Sequence, residues 1–225
     1  LAECFDLYGT SPGALRPCFV FIHGGYWRAL ERGASAFMAP MLAARGIACA
    51  VPDYTLAPAV NLTEITRQCR AMLAHLWHNA DALGIDRTRI VVGGSSAGGH
   101  LAAAVASAGW QAAAGLPEQP LCGLLPVSGL FELAPLAASH VQDWMRFSPD
   151  EIGTLSPLRH LPAGALPMAV ALAEQETAGF HRQSAAYAAA VGAPVLTIRG
   201  RNHFDVILDL TDPDTELSRA LLGLI

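Results

Sequence analysis

Gly94-Ser95-Ser96-Ala97-Gly98 is a G-x-S-x-G sequence between two segments of different character. The residues before it, 89–93, form an apolar run typical of a buried strand, and the alanine-rich run that begins at His100 is typical of a helix. A serine in the sharp turn between a strand and a helix is held in a strained backbone conformation, with its hydroxyl at the top of the sheet. Only Ser96 fits the register of the pattern, so Ser96 rather than Ser95 is the candidate nucleophile.

The composition is that of a globular enzyme with a large core. The chain has 225 residues, of which 52% are hydrophobic and 15% charged, and this length predicts one domain. The net charge is −5 and the basic residues are scattered, which argues against a nucleic-acid partner or an anionic membrane. The longest uncharged run, residues 97–117, is too weakly apolar to predict a membrane span.

Cysteine usage favours a reducing compartment. The count is odd and no C-x-x-C spacing occurs, which predicts reduced, mostly buried thiols. This pattern predicts a cytoplasmic protein, and no signal peptide is visible at the N-terminus. The five cysteines are Cys4, Cys18, Cys49, Cys69 and Cys122.

Apolar runs of strand length alternate with helical patterns, which predicts an α/β protein. Right-handed crossovers would give a mostly parallel central sheet with helices on both faces, a three-layer αβα arrangement. We expect a single domain over residues 1–225, with a small cap-like insertion around residues 130–162, where prolines are frequent. Strands are expected at 18–22, 47–51, 89–93, 121–127, 167–173 and 194–199, and helices at 33–45, from 61 past 77, after Ser96, at 180–191 and at 215–224.

A nucleophilic serine needs a base, and the base needs a third group that holds its tautomer. In a parallel α/β sheet these groups are expected in loops at the carboxyl ends of strands. His203 lies in the turn after the last predicted strand and is the candidate base. Glu174 and Glu176 both follow the preceding strand, and position alone does not separate them as the acid. Asp205 is too close to His203 in the chain to orient it.

The loop after the first predicted strand is the candidate oxyanion hole. Its sequence is His23-Gly24-Gly25-Tyr26-Trp27, and the two glycines allow the backbone to approach a substrate closely. The N–H groups of Gly24 and Gly25, with that of Ala97 directly after the nucleophile, are the expected donors to a developing negative charge.

Together these motifs resemble the α/β-hydrolase superfamily, in its hormone-sensitive-lipase-like branch. Most members of that branch carry H-G-G-G at the oxyanion loop; here Tyr26 replaces the third glycine, and H-G-G-Y-W is similar to the serine-dependent kynurenine formamidases (arylformamidases) and their bacterial esterase relatives. The resemblance runs from Asp6 to about Pro213, and its stretch Glu176 to Ser184 favours Glu176 over Glu174 as the acid. The other matching stretches are Asp53-Tyr54-Thr55-Leu56-Ala57-Pro58, Gly94 to His100 and Asn202 to Ile207.

The resemblance implies an α/β-hydrolase fold and a Ser96–His203–Glu176 triad that cleaves a formamide or a short acyl ester. N-formylkynurenine is the expected substrate, and a general short-chain carboxylesterase is the alternative. Neither a cofactor nor a nucleic-acid or membrane partner is expected, and a homodimer stays open. The expected substrate pocket consists of Tyr26, Trp27, Trp144 and Phe204, with Phe147 as a further aromatic candidate.

Two other functions are weighed against this one. A non-catalytic small-molecule binder on the same fold would tend to lose the base or the nucleophile, and both are present here. A metal-dependent amidohydrolase would need clustered ligands. His75 and His78 flank an apolar stretch of a helix without nearby partners, and His140 and His160 are isolated, so no metal site is expected.

Overall fold

Strands and helices alternate along residues 3–225, the part of the chain that the computed structural model describes. The strands are β1 (Phe5–Tyr8), β2 (Arg16–Ile22), β3 (Ala48–Pro52), β4 (Ile85–Ser95), β5 (Gly123–Val127), β6 (Val170–Gln175) and β7 (Val195–Asn202). The α-helices are α1 (Ala39–Ala44), α2 (Leu62–His78), α3 (Ala97–Ala106), α4 (Ala134–Ala137), α5 (Gln142–Met145), α6 (Pro149–Thr154), α7 (Ala178–Val191) and α8 (Glu216–Leu224).

All seven strands form one sheet in the order β1-β3-β2-β4-β5-β6-β7. Neighbouring strands from β3 to β7 in this order are parallel, which confirms the predicted α/β class. The antiparallel edge strand β1 was not predicted. It has only four residues and pairs Phe5 with Pro52 and Tyr8 with Cys49, so its sequence signal is short.

Helices cover both faces of the sheet, and β2 shows how the sequence divides its side chains between them. Cys18, Val20 and Ile22 face the layer that contains α2 and α3, whereas Phe19 and Phe21 face the layer that contains α1 and α8. All five are buried, because a central parallel strand packs against helices on both sides. The site at the carboxyl end of β2 therefore lies on a tightly packed support.

The predicted helix over 33–45 is wrong in its first half. Residues Arg32–Ala34 form a 3₁₀ turn, and α1 begins only at Ala39. Pro40 explains the start, because proline lacks an N–H and is tolerated only in the first turn of a helix. The C-terminal end is as predicted: Gly46 has a φ of 73° and donates its N–H to the carbonyl of Ala43.

Residues 130–162 contain the short helices α4, α5 and α6 and pack against the rest of the chain at defined points. Glu151 is 4% exposed, and its carboxylate accepts hydrogen bonds from the N–H and hydroxyl of Thr63, at the start of α2, and from the N–H and hydroxyl of Ser148. These bonds fasten the segment to α2.

Burial raises the pKa of the Cys49 and Cys69 thiols to about 12, so both stay protonated at neutral pH. No helix within residues 3–225 combines the length and the apolar character that crossing a membrane requires.

Candidate active site

Ser96 occupies the turn between β4 and α3 in an unusual backbone conformation. Its φ is 57° and its ψ is −116°, which costs a non-glycine residue on the order of 1–3 kcal/mol. The N–H of Ser96 donates to the carbonyl of Val127 at 2.9 Å, and the Ser96 carbonyl accepts the N–H of His100 at 3.0 Å. The Ser96 hydroxyl does not cap α3, so it stays available for other partners.

The glycines of the G-x-S-x-G sequence are required by backbone contacts rather than by flexibility. A Cβ on Gly98 would collide with the carbonyl of Ile22 and lie 2.7 Å from that of His23. A Cβ on Gly94 would collide with the backbone of Gly98. The turn thus fits only because strand, turn and helix approach one another without side chains between them.

Glu176 and His203 lie directly after β6 and β7, and the structure brings them together. The Oε2 atom of Glu176 is 3.3 Å from Nδ1 of His203. The Glu176 side chain is fully enclosed, whereas 20% of the His203 side chain is exposed. The other carboxylate oxygen, Oε1, accepts the N–H of Ala173 at 3.0 Å and the hydroxyl of Ser128.

The Glu176 carboxylate stays charged in spite of its enclosure. Burial alone would raise the pKa of Glu176, but the hydrogen bonds from His203, Ser128 and the Ala173 N–H favour the ionised form more strongly, and the net pKa lies below its usual value. A charged carboxylate at this place can hold the Nδ1 proton of His203.

Ser128 connects this pair to the serine turn. It follows Val127, whose carbonyl accepts the N–H of Ser96, and the N–H of Ser128 donates to Ala171 in β6. Ser128 is fully buried with a φ of 50°. Sequence reasoning missed it, because a serine after a buried strand carries no signal of a contact 48 residues away.

The turn that carries His203 is fixed by its neighbours. The N–H and side-chain amide of Asn202 donate to the two carboxylate oxygens of Asp205 at 2.6 and 3.0 Å, and the Asn202 side-chain oxygen accepts the N–H of Phe204 at 2.8 Å. Asp205 therefore holds the loop, which agrees with the expectation that it does not orient the imidazole.

Phe180 is a second residue that sequence reasoning missed. It lies in the first turn of α7, and its ring centroid is 4.3 Å from that of His203. The contact limits the rotation of the imidazole. Glu174, the alternative acid, instead accepts the N–H of Gly200 at 2.8 Å.

The glycine loop after β2 lies against the serine turn. A Cβ on Gly24 would be 3.4 Å from Cβ of Ser96 and 2.7 Å from the carbonyl of Ser95. Gly25 has a φ of 90°, which favours glycine. Ala97 is the first residue of α3, where N–H groups have no acceptor within the helix. The N–H groups of Gly24, Gly25 and Ala97 thus belong to segments that meet at Ser96.

Tyr54 holds the carbonyl side of the glycine loop. Its hydroxyl lies 3.1 Å from the carbonyl oxygens of both His23 and Gly24, and its ring stacks on the His23 imidazole with 4.3 Å between centroids. Nδ1 of His23 donates to the Gly24 carbonyl at 3.0 Å. These bonds fix the orientation of the two peptide groups that follow His23 and Gly24.

Tyr26 and Trp144, two of the expected pocket residues, are in contact. The indole N–H of Trp144, in α5, donates to the carbonyl of Tyr26 at 3.1 Å, and the ring centroids are 6.2 Å apart. Tyr26 is 36% exposed and Trp144 is half-buried. Both rings are therefore accessible beside the glycine loop.

Trp27 and Phe147 are placed differently from the expectation. Trp27 is fully buried and packs edge-on against His100 and Phe147, with centroids 5.2 and 5.8 Å away. Phe147 is only 4% exposed. Both rings are part of the core, so the expectation that they line an open pocket is wrong. Phe204 is 83% exposed, and its ring centroid is 5.5 Å from that of His203, so it lies at the solvent-facing rim of the site.

His100 lies beneath the glycine loop and is neutral at pH 7. It is fully buried, and its Nε2–H donates to the carbonyl of Leu155 at 2.8 Å. Burial lowers its pKa to about 4. This hydrogen bond joins α3 to residues 130–162.

The histidines weighed as metal ligands do not converge. Nε2 of His78 is 2.9 Å from the Ala114 carbonyl, that of His160 is 2.9 Å from the Gly153 carbonyl, and His140 contacts Trp144. Within residues 3–225, no group of three or more His, Cys, Asp or Glu side chains is arranged to hold a metal ion.

Known proteins resemble the chain along most of its length. The BD-FAE family model matches residues 5–114, just under half of the chain. A kynurenine formamidase from Salmo salar is 27% identical over 235 residues, which cover 99% of this chain and 78% of the relative. A crystal structure from Silicibacter sp. TM1040 has a TM-score of 0.82 and 28% identity, covering 99% of this chain and 84% of its own.

A hyperthermophilic esterase from Pyrobaculum calidifontis has the same fold, with a TM-score of 0.78 at 20% identity over 98% of this chain and 80% of the esterase. The chain has the α/β-hydrolase fold. The sheet order, the strained serine after a central strand and the acid and histidine after the last two strands agree with that assignment.

In this fold, Gly98→Ala should lower the free energy of unfolding by about 1–3 kcal/mol, because the added methyl forces the backbone of α3 away from β2. Urea unfolding measures the change. Gly153→Ala in α6 is the matched control, since its Cβ would meet no atom within 4 Å. Equal stability of wild type and Gly98→Ala would contradict the contact.

A second prediction concerns the pH dependence of stability. His100 has a pKa of about 4 when folded and about 6.5 when unfolded, so the unfolded state gains protons first as the pH falls. Between pH 7 and pH 4, the free energy of unfolding of wild type should therefore fall by up to about 3 kcal/mol more than that of His100→Gln. Urea unfolding at several pH values measures both. Parallel profiles for the two proteins would refute this.

Proposed function

We propose that this chain is a serine hydrolase that cleaves a formamide or a short acyl ester through Ser96, His203 and Glu176. The observation that carries the proposal is the enclosed Glu176–His203 pair, with 3.3 Å between Oε2 and Nδ1, on loops that hydrogen bonds tie to the strained Ser96 turn. An ion pair with a purely structural role would not explain why the glycine loop lies beside Ser96.

In the first half-reaction, Oγ of Ser96 attacks the carbonyl carbon, and its proton passes to Nε2 of His203. Glu176 accepts the Nδ1–H hydrogen bond and stabilises the imidazolium that forms. The lowered pKa of Glu176 supports this role, because the carboxylate stays ionised at neutral pH.

The carbonyl oxygen becomes an oxyanion, which accepts hydrogen bonds from the N–H groups of Gly24, Gly25 and Ala97. Removal of one such donor costs about 3–4 kcal/mol of transition-state stabilisation in comparable sites. Tyr54 and His23 act as positioning residues here, since they occupy the carbonyls of the same loop.

His203 then donates its proton to the leaving amine or alcohol, and the acyl group stays on Ser96. Water attacks this ester, gives a proton to His203 and releases formate or the short acid, which regenerates the Ser96 hydroxyl. One water is consumed and one C–N or C–O bond is broken in each cycle.

The substrate is a small molecule, and an aryl formamide is the proposed class. The likeness to a kynurenine formamidase over 99% of the chain supports N-formylkynurenine. Tyr26 and Trp144 offer faces for an aromatic leaving group, and Phe204 stands beside His203 at the rim. In this proposal residues 130–162 are a small cap on one hydrolase domain, because α5 carries Trp144 to the glycine loop.

Two earlier expectations stay predictions. A cytoplasmic location agrees with the buried, protonated thiols. A homodimer is compatible with the exposed rings of Phe204 and Tyr26 at the rim.

Ser96→Ala should lower kcat/KM at least about 1000-fold for both N-formylkynurenine and p-nitrophenyl acetate, because both reactions need the same nucleophile. Absorbance assays of the purified variant measure the loss, and labelling with a fluorophosphonate probe should disappear with it.

Ser95→Ala is the matched control, since Ser95 is the neighbouring buried serine in β4. It should keep activity within about tenfold of wild type. Retained turnover in Ser96→Ala would remove the mechanism, and a wild type that neither labels nor turns over would favour a non-catalytic binder. Comparison of N-formylkynurenine with p-nitrophenyl esters of rising chain length separates a formamidase from a general carboxylesterase.

Glu176→Gln should lower kcat by about 100- to 10,000-fold, because the amide cannot stabilise the imidazolium or fix its tautomer as a carboxylate does. Glu174→Gln is the control and should change kcat only a few-fold, since Glu174 binds the Gly200 N–H. Steady-state kinetics of both variants with the same substrate decides the assignment. A larger loss in Glu174→Gln would exchange the two roles.

A further inference from the structure

We propose that Arg28 binds an anionic group of the substrate, so that the preferred substrates are aryl formamides or esters that carry a carboxylate. This inference rests on the proposed function and assigns a residue to the recognition of a substrate carboxylate, which N-formylkynurenine also carries. Its basis is the stacking of the Arg28 guanidinium on Trp144, with 4.4 Å from the Cζ atom to the ring centroid.

Three arginines of residues 3–225 stack on tryptophan rings, and Arg28 differs from the other two because its guanidinium has no hydrogen-bond or ion-pair partner there. Arg70 stacks on Trp110 and donates to the carbonyl of Ala104, at 3.0 Å from Nη2. Arg87 stacks on a tryptophan and pairs with Asp81 at 3.1 Å. Among residues 3–225, no carboxylate or carbonyl oxygen lies within hydrogen-bond or ion-pair distance of the Arg28 guanidinium.

The position of Arg28 is set by the glycine loop. Its N–H donates to the carbonyl of Gly25 at 3.0 Å in the turn that also carries Tyr26. Trp144, on which Arg28 stacks, donates to the Tyr26 carbonyl. Arg28, Tyr26 and Trp144 therefore form a cluster that starts one residue from the proposed oxyanion donors.

A stacked guanidinium is well suited to a carboxylate. The ring of Trp144 covers one face of the guanidinium plane, and the N–H groups at its edge stay free for a bidentate hydrogen bond. An aromatic leaving group against Tyr26 and Trp144 would place a side-chain carboxylate near that edge. Because the protein carries a net charge of −5, this local cation selects an anion that the rest of the surface repels.

The test compares substrates that differ only in charge. The probes are 3-acetoxyphenylacetate and its uncharged amide, 3-acetoxyphenylacetamide, and the readout is the ratio of their kcat/KM values. In Arg28→Gln this ratio should fall at least about tenfold, through a higher KM for the charged ester. Arg28→Lys should keep part of the preference, because it retains the charge without the planar fork. Melting temperatures of the variants verify that each is folded.

Arg87→Gln is the matched control, since Arg87 is another arginine stacked on a tryptophan, distant in sequence from the glycine loop. It should keep the wild-type ratio. An equal ratio in wild type and Arg28→Gln, or an equal fall in Arg87→Gln, would overturn the inference.

Binding separates this inference from the proposed reaction. Phenylacetate and phenylacetamide are titrated into wild type and Arg28→Gln and followed by NMR, which needs no turnover. The Kd of phenylacetate should rise at least about tenfold more than that of phenylacetamide. If wild type hydrolyses neither ester nor N-formylkynurenine, the proposed function fails, and the titration alone decides the role of Arg28. A preferential loss of phenylacetate binding supports that role, and equal changes for both ligands refute it.

Discussion

Backbone packed directly on backbone at the start of α3 is the constraint from which the rest of the site follows. Gly98 lies against the carbonyl of Ile22, and Gly24 lies against Ser95, so three chain segments meet without a side chain between them. This packing keeps Ser96 at a φ of 57° and brings the glycine loop beside it. The strain at one residue is small compared with the burial of the strands and helices that enforce it.

The proposed acid and base depend on a balance between desolvation and hydrogen bonding. Enclosure raises the pKa of Glu176, and interactions with His203, Ser128 and the Ala173 N–H lower it by more, so the net pKa lies below its usual value. Two of them, Ser128 and the Ala173 N–H, bind the oxygen that does not face His203. The carboxylate is thus fixed in position as well as in charge, so no solvent reorganisation is needed when the imidazole gains a proton.

The sequence was informative where a pattern has one physical reading. The G-x-S-x-G sequence predicted the strand before Ser96, the helix after it and the turn in which Ser96 lies. The alternation of strands and helices predicted that His203 follows the last strand. Position alone did not separate Glu176 from Glu174, because both follow the strand predicted over 167–173. Only the structure shows which of the two side chains turns inward. Trp27 was predicted to line the pocket, but it is buried. The sequence of a glycine loop does not show whether the aromatic side chain that follows it points into the core or toward solvent. The sequence does not indicate the role of Phe180, because its contact with the imidazole joins residues far apart in the chain. The helix predicted over 33–45 begins only at Ala39, because Pro40 is tolerated only in the first turn of a helix.

The hydrogen bond from the Trp144 indole to the Tyr26 carbonyl has an evolutionary consequence. It joins the segment that can vary with the leaving group to the loop that must stay constant for the chemistry. A substitution in α5 that admits a new substrate therefore also shifts the peptide next to Gly25, and its effect depends on which residues already occupy the loop. A change of leaving-group preference made through α5 is therefore expected to need a compensating change in the loop.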